Sequence, residues 1–98
     1  DTDEIVDWID ELRGYREEVH KLIADAGLDD NVICRSFSYF DLPGVYNHSD
    51  VVIYPTIGDE PFGLVPIEAM ACCKPVVVSA SGGLVESVVE GETGFIID

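Results

Sequence analysis

Basic residues are what this sequence has least of. Five Lys plus Arg face twenty Asp plus Glu, for a formal net charge of -15 over 98 residues. Such a surface repels phosphate backbones, which argues against nucleic-acid binding. It also argues against docking on anionic lipid. Long apolar runs are missing as well, so no transmembrane segment is expected, and no secretory signal opens the chain. Asn47-His48-Ser49 is therefore read as a chance match to the glycosylation sequon, and the expected location is cytoplasmic. Cysteine is sparse: Cys34, Cys72 and Cys73. Adjacent cysteines without a following His pair do not match zinc spacing, so no metal site is expected. Each lies in or beside an apolar run, which predicts buried, reduced thiols. No repeat or biased tract occurs.

What is present is a core-forming composition, with 47% apolar residues, and an uneven charge. Residues 1 to 30 hold eleven acids against Arg13, Arg16 and Lys21. A solvated helix face accounts for this, and adaptation to high salt is the sharper alternative. Ile5, Ile9 and Leu12 recur at helical spacing beside Trp8, and Val19, Leu22, Ile23 and Ala26 resume it beyond Gly14. Two helices, or one bent at Gly14, are predicted, with Gly27 at the C-terminus. Val32-Ile33-Cys34 reads as a short strand. Asp41 to Asn47 reads as a short helix with Asp41 as N-cap and Pro43 in its first turn.

Two more strand–helix alternations and a last strand follow. Val51 to Tyr54 is an apolar run closed by Pro55, and Val65 to Cys72 is helical with Pro66 tolerated in its first turn. Pro75 to Ser79 is a strand, Leu84 to Val89 a helix after Gly82-Gly83, and Gly94 to Ile97 a last strand. Apolar strands alternating with helices predict α/β architecture. The expectation is part of a doubly wound, Rossmann-like parallel sheet of about four strands with helices on both faces. No linker divides residues 1–98, which read as a single partial domain.

The chemistry concentrates between Tyr54 and Ala71. A strand ends at Pro55, a polar loop with Gly58 follows, and a helix opens near Leu64. This puts a helix N-terminus outside the carboxyl end of a parallel strand, where open α/β sheets bind ligands. Backbone N–H groups of residues 62 to 65 are candidate anion donors, and Gly63 lets a phosphate approach closely. Glu60 lies in the loop, and Glu68 follows seven intervening residues later, on the helix. Glu68 sits among Ile67, Ala69, Met70 and Ala71, where a carboxylate is costly to bury without donors. Vicinal ribose hydroxyls would supply two. A half-exposed acid favoured by the helix dipole is the competing reading, and spacing alone leaves both open.

The ordered set Glu60, Phe62-Gly63-Leu64, Glu68-Ala69-Met70-Ala71, Pro75-Val76-Val77, Gly82-Gly83, Glu86, Gly91 and Thr93-Gly94 resembles the retaining GT-B glycosyltransferases. The likeness is greatest to glycosyltransferase family 4 (group 1) and the related glycogen synthases. It implies the second half of a C-terminal donor-binding domain, in which a sugar leaves a UDP-, GDP- or ADP-sugar with retention and without a metal or other cofactor. Glu68 would hold ribose hydroxyls. Glu60 would stand near the donor sugar as the catalytic residue. Backbone N–H groups of Phe62, Gly63 and Leu64 would face sugar and diphosphate, and Gly82 and Gly83 would pack behind them.

Two departures stand out. Cys73 replaces the family's usual Gly, and the Arg and Lys that neutralise the diphosphate have no counterpart here. The implied partners are a nucleotide sugar and an N-terminal acceptor domain absent from this sequence. The missing first strands would leave a sheet edge open to self-association, and the piece alone is expected to be inactive. A glucan synthase of the glycogen or starch type, or a non-catalytic nucleotide-binding α/β module, is the alternative.

Overall fold

The structure is a computed structural model that describes residues 2–58 and 62–98. It separates into two compact units, Asp1–Ser36 and Phe37–Asp98. The first holds α1, Thr2–Asp25, one continuous 24-residue helix. Gly14 does not break it, because a glycine inside a helix weakens it without forbidding it. Gly27, at φ +69°, closes the helix. Its N–H donates to Ala24 O at 3.0 Å and that of Leu28 to Ile23 O at 3.0 Å. This paired arrangement is the Schellman motif, which needs a left-handed residue at its centre. No α1 residue is buried: the apolar stripe of Ile5, Trp8, Ile9 and Leu12 is exposed, as are the acids beside it.

The strand expected at Val32-Ile33-Cys34 does not form. The segment is extended but unpaired, and Ile33 is 82% exposed. A strand exists only through a neighbour's ladder, and no described segment supplies one here. The buried-thiol expectation also fails: Cys34 and Cys73 are exposed and Cys72 is half-buried, although all three are free. Adjacency to an apolar run does not orient a side chain inward.

The second unit carries the sheet. A 3-10 turn at Tyr39–Asp41 leads into α2, Leu42–Asn47. Asp41 makes no side-chain cap bond. The preceding turn holds it in helical backbone, and its carboxylate accepts from Ser38 Oγ at 2.9 Å. Then come β1 (Val52–Tyr54), α3 (Leu64–Ala71), β2 (Val76–Ser79), α4 (Leu84–Ser87) and β3 (Gly94–Ile97). The strands are parallel in the order β1-β2-β3, with Val52 opposite Val76 and Val76 opposite Gly94. Among the described residues the sheet therefore has three strands. β1 and β3 are its edges.

Strand alternation sorts the sheet's two faces. Val76 and Val78 are fully buried in a cluster with Tyr46, Ala69, Leu84 and Val88, and Val52, Tyr54 and Ile96 pack against it. The alternate positions Ile53 and Phe95 are 65% and 56% exposed. α2, α3 and the start of α4 thus seal one face. At Gly94 the β2 and β3 backbones come so close that an added Cβ would meet the Val76 carbonyl and approach Val76 Cγ2 to 2.8 Å. Gly91, at φ +78°, opens the turn before it. Val89 N–H donates to Thr93 Oγ1 at 2.9 Å, and Gly91 N–H to Gly94 O at 2.9 Å. Gly91-Glu92-Thr93-Gly94 is thus a structural turn at the amino edge of the sheet.

Candidate functional site

The carboxyl edge of a parallel sheet is where the loops are free to vary, because the helices pack back along the strands. β1 and β2 both end there; two hydrogen bonds lace their loops together and a third braces the β1 loop internally. Thr56 N–H donates to Ser79 Oγ at 2.8 Å, and Thr56 Oγ1 to Gly58 O at 3.2 Å. Ser81 Oγ donates to the same Gly58 carbonyl at 2.7 Å. The Gly58 loop is held against the start of the Ser81-Gly82-Gly83 turn, where Gly82 takes φ +46° and Gly83 precedes the first turn of α4.

Across the loop, α3 starts on Gly63. This residue is buried at φ +82°, a conformation open to Gly at no steric cost, and it stands directly before Leu64. Phe62 and Leu64 are each 61% exposed. The first turn of α3 keeps its backbone N–H groups outside the helical ladder, apart from Pro66, which has none. Phe62, Gly63 and Leu64 thus stand together at the helix entrance, as the sequence requires. Glu60 lies outside the described residues. Glu86 is exposed on α4, in keeping with a surface acid.

Glu68 is half-buried on α3, one turn beyond Leu64. Its Oε2 accepts from the Tyr46 hydroxyl at 3.0 Å, a contact that joins α3 to α2. Tyr46 is 7% exposed. Burial, then the hydrogen bond to Glu68, the Glu68 charge and the nearby Cys72 push its phenol up to about 12. It therefore stays protonated at neutral pH and remains a donor. The pair borders a cavity of about 310 Å³ whose other walls include Tyr39, Phe40, Leu42 and Cys72. Tyr39 and Phe40 meet edge-to-face with ring centroids 5.9 Å apart, and both are largely exposed. Tyr46 escaped the sequence reading. Its one signal was a lone Tyr in an otherwise short, apolar helix.

Only one Lys or Arg lies between Phe37 and Asp98, namely Lys74. It precedes β2 and so sits at the amino edge of the sheet. It borders a separate cavity of about 270 Å³ with Met70, Cys73, Glu92 and Thr93. The second unit thus offers no cation to an anion at its carboxyl edge.

Known proteins with the same pattern share this architecture. Residues 7–98 match the family Glycosyl transferases group 1. The chain belongs to that family. Among curated members, the D-inositol 3-phosphate glycosyltransferase of Pseudarthrobacter chlorophenolicus is 40% identical over 90 residues, covering 90% of this chain and 21% of that protein. The GDP-mannose-dependent alpha-(1-6)-phosphatidylinositol monomannoside mannosyltransferase of Mycolicibacterium smegmatis is 33% identical over 91 residues. That match covers 86% of this chain and 24% of the mannosyltransferase. Among solved structures, Anabaena Alr3699/HepE in complex with UDP and glucose superposes with a TM-score of 0.81 at 38% identity. The superposition takes in 86% of this chain and 23% of that one. This group 1 glycosyl transferase chain therefore spans about a fifth to a quarter of the length of such relatives. No helix among its described residues is long and apolar enough to cross a membrane.

Proposed function

We propose that this chain supplies the donor-nucleotide half of the active site of a retaining GT-B, family 4 glycosyltransferase. In this reading it forms the second half of the C-terminal donor-binding domain. The full-length protein moves a sugar from a nucleotide diphosphate sugar to an acceptor without inverting the anomeric carbon. The observation that carries the reading is the Glu68 carboxylate, half-buried on α3 beside a largely apolar cavity that α2 and α3 line together. A carboxylate there can accept ribose hydroxyls, and the cavity beside it is of a size for a nucleoside. Backbone N–H groups of Phe62, Gly63 and Leu64 receive the diphosphate and sugar oxygens at the entrance to α3. The turn at Gly82 and Gly83 lets the loops close behind them. Glu60 stands near the transferred sugar, balancing charge in an oxocarbenium-like transition state, and no metal takes part.

Support comes from the relatives. Solved structures of Alr3699/HepE hold UDP, and also UDP-glucose. The mannosyltransferase relative uses GDP-mannose. The names of the two curated relatives, which act on an inositol phosphate and a phosphatidylinositol mannoside, favour an acceptor other than a glucan. The cations that neutralise the donor's negative charge come from an earlier part of the domain, outside this chain.

Titration calorimetry of the full-length protein with UDP, GDP and ADP tests the reading. One of the three binds, and Glu68→Gln weakens it about tenfold, the scale of a hydrogen bond to a charged group. Glu60→Ala abolishes transfer while leaving nucleotide binding. Nucleotide binding that is unchanged in Glu68→Gln, or absent at millimolar ligand, overturns the assignment. A product of inverted configuration overturns retention alone.

A further inference from the structure

A carboxylate on a helix swings about three side-chain bonds. It recognises a pair of hydroxyls well only if something fixes its plane, since otherwise binding must freeze that freedom. Here the fixing group is visible. Tyr46 is nine-tenths buried and comes from a different helix, 22 residues earlier in the chain. Its hydroxyl is engaged with Glu68 Oε2 at 3.0 Å. Among the described residues, Glu68 is the only carboxylate, Lys, Arg or His side chain bordering the cavity of about 310 Å³. With Oε2 held by the phenol, Oε1 is left to accept from a ligand.

We propose that Tyr46 is a positioning residue for nucleotide recognition, holding Glu68 so that its second oxygen selects a ribose hydroxyl. This deepens the donor-binding reading and rests on it. The phenol suits the task because it cannot switch roles. Burial and the Glu68 carboxylate keep it protonated up to about pH 12, so it presents a donor throughout the working range. The bond also ties the orientation of Glu68 to the packing of α2. Tyr46 thereby makes the site discriminate between ribose and a sugar lacking its hydroxyls.

The test compares the full-length protein with Tyr46→Phe, Glu68→Gln and the double variant. Each is titrated calorimetrically with the tightest of UDP, GDP and ADP, and with that nucleotide's 2′,3′-dideoxy form. Wild type is expected to prefer the ribonucleotide. Tyr46→Phe should weaken the ribonucleotide about tenfold and the dideoxy form less than about twofold. Adding Tyr46→Phe to Glu68→Gln should change neither further. Equal weakening of both ligands by Tyr46→Phe would mean a packing role only and overturn the proposal while sparing the donor-binding reading. Wild type without ribose preference overturns both. A second measurement does not depend on how Tyr46→Phe folds. In Glu68→Gln, ultraviolet titration should show the highest phenol midpoint falling below about 12 while staying above 10, because burial, the largest cause of the rise, remains. An unmoved midpoint refutes the contact itself.

Discussion

Cys73→Gly should stabilise this protein. α3 ends in the same motif as α1: Cys73 N–H donates to Met70 O at 2.9 Å, and Lys74 N–H to Ala69 O at 3.1 Å. In α1 the left-handed residue at the centre of the motif is Gly27, at φ +69°. In α3 it is Cys73, at φ +60°, the one non-glycine with positive φ among the described residues. A Cβ in that conformation crowds the carbonyl and costs about 1–2 kcal/mol. Glycine removes this cost but gives back about 0.5–1 kcal/mol through the greater freedom of the unfolded chain. The Cys73 side chain is exposed, so little packing is lost with it. The net gain is about 0.5–1 kcal/mol, which for a chain of this length raises Tm by about 2–8 °C. Thermal melts followed by near-ultraviolet circular dichroism measure it, with Cys73→Ala as the control. Alanine keeps the Cβ and so should move Tm little. A Cys73→Gly melt at or below wild type, or an equal rise in Cys73→Ala, would refute the strain argument.

Two further outcomes follow from the same structure, and a third from the family resemblance. Gly94→Ala drives a Cβ into the Val76 carbonyl, an atom of fixed backbone, so it should cost about 3 kcal/mol or prevent β3 from pairing; urea unfolding measures this. A raised Tyr46 titration means that the unfolded state loses its proton first. Stability from this group is full below pH 10 and is lost as pH rises through about 12, by up to about 3 kcal/mol, and Tyr46→Phe should flatten that part of the pH–stability curve. Transfer by the full-length protein should survive excess chelator, and activity restored by a single divalent ion would remove the metal-free reading.

Much of the architecture was legible because it rests on local rules. Val76, Val77 and Val78 could only be strand, since a short apolar β-branched run between turn residues suits nothing else. Gly27 suited a helix end, and the helix expected to open near Leu64 does so. The failures share a cause. Val32-Ile33-Cys34 has a strand's composition but no described neighbour to complete its ladder. Asp41 has a cap's chemistry, but the 3-10 turn before it takes the capping geometry away. The cysteines have apolar neighbours along the chain, and the direction of a side chain is not a property of its neighbours in sequence.

The sequence by itself therefore determined the alternation of strands and helices, the family, and the placing of Glu68 on a helix beyond a loop. Periodicity, turn residues and an ordered motif are written along one dimension. Whether Glu68 was a surface acid or a held carboxylate needed the third. Tyr46 lies 22 positions away, and only the packing of α2 on α3 brings its hydroxyl to 3.0 Å from Oε2. The close approach of Gly94 to Val76 and the strain at Cys73 likewise arise from backbones meeting in space, which no spacing rule encodes.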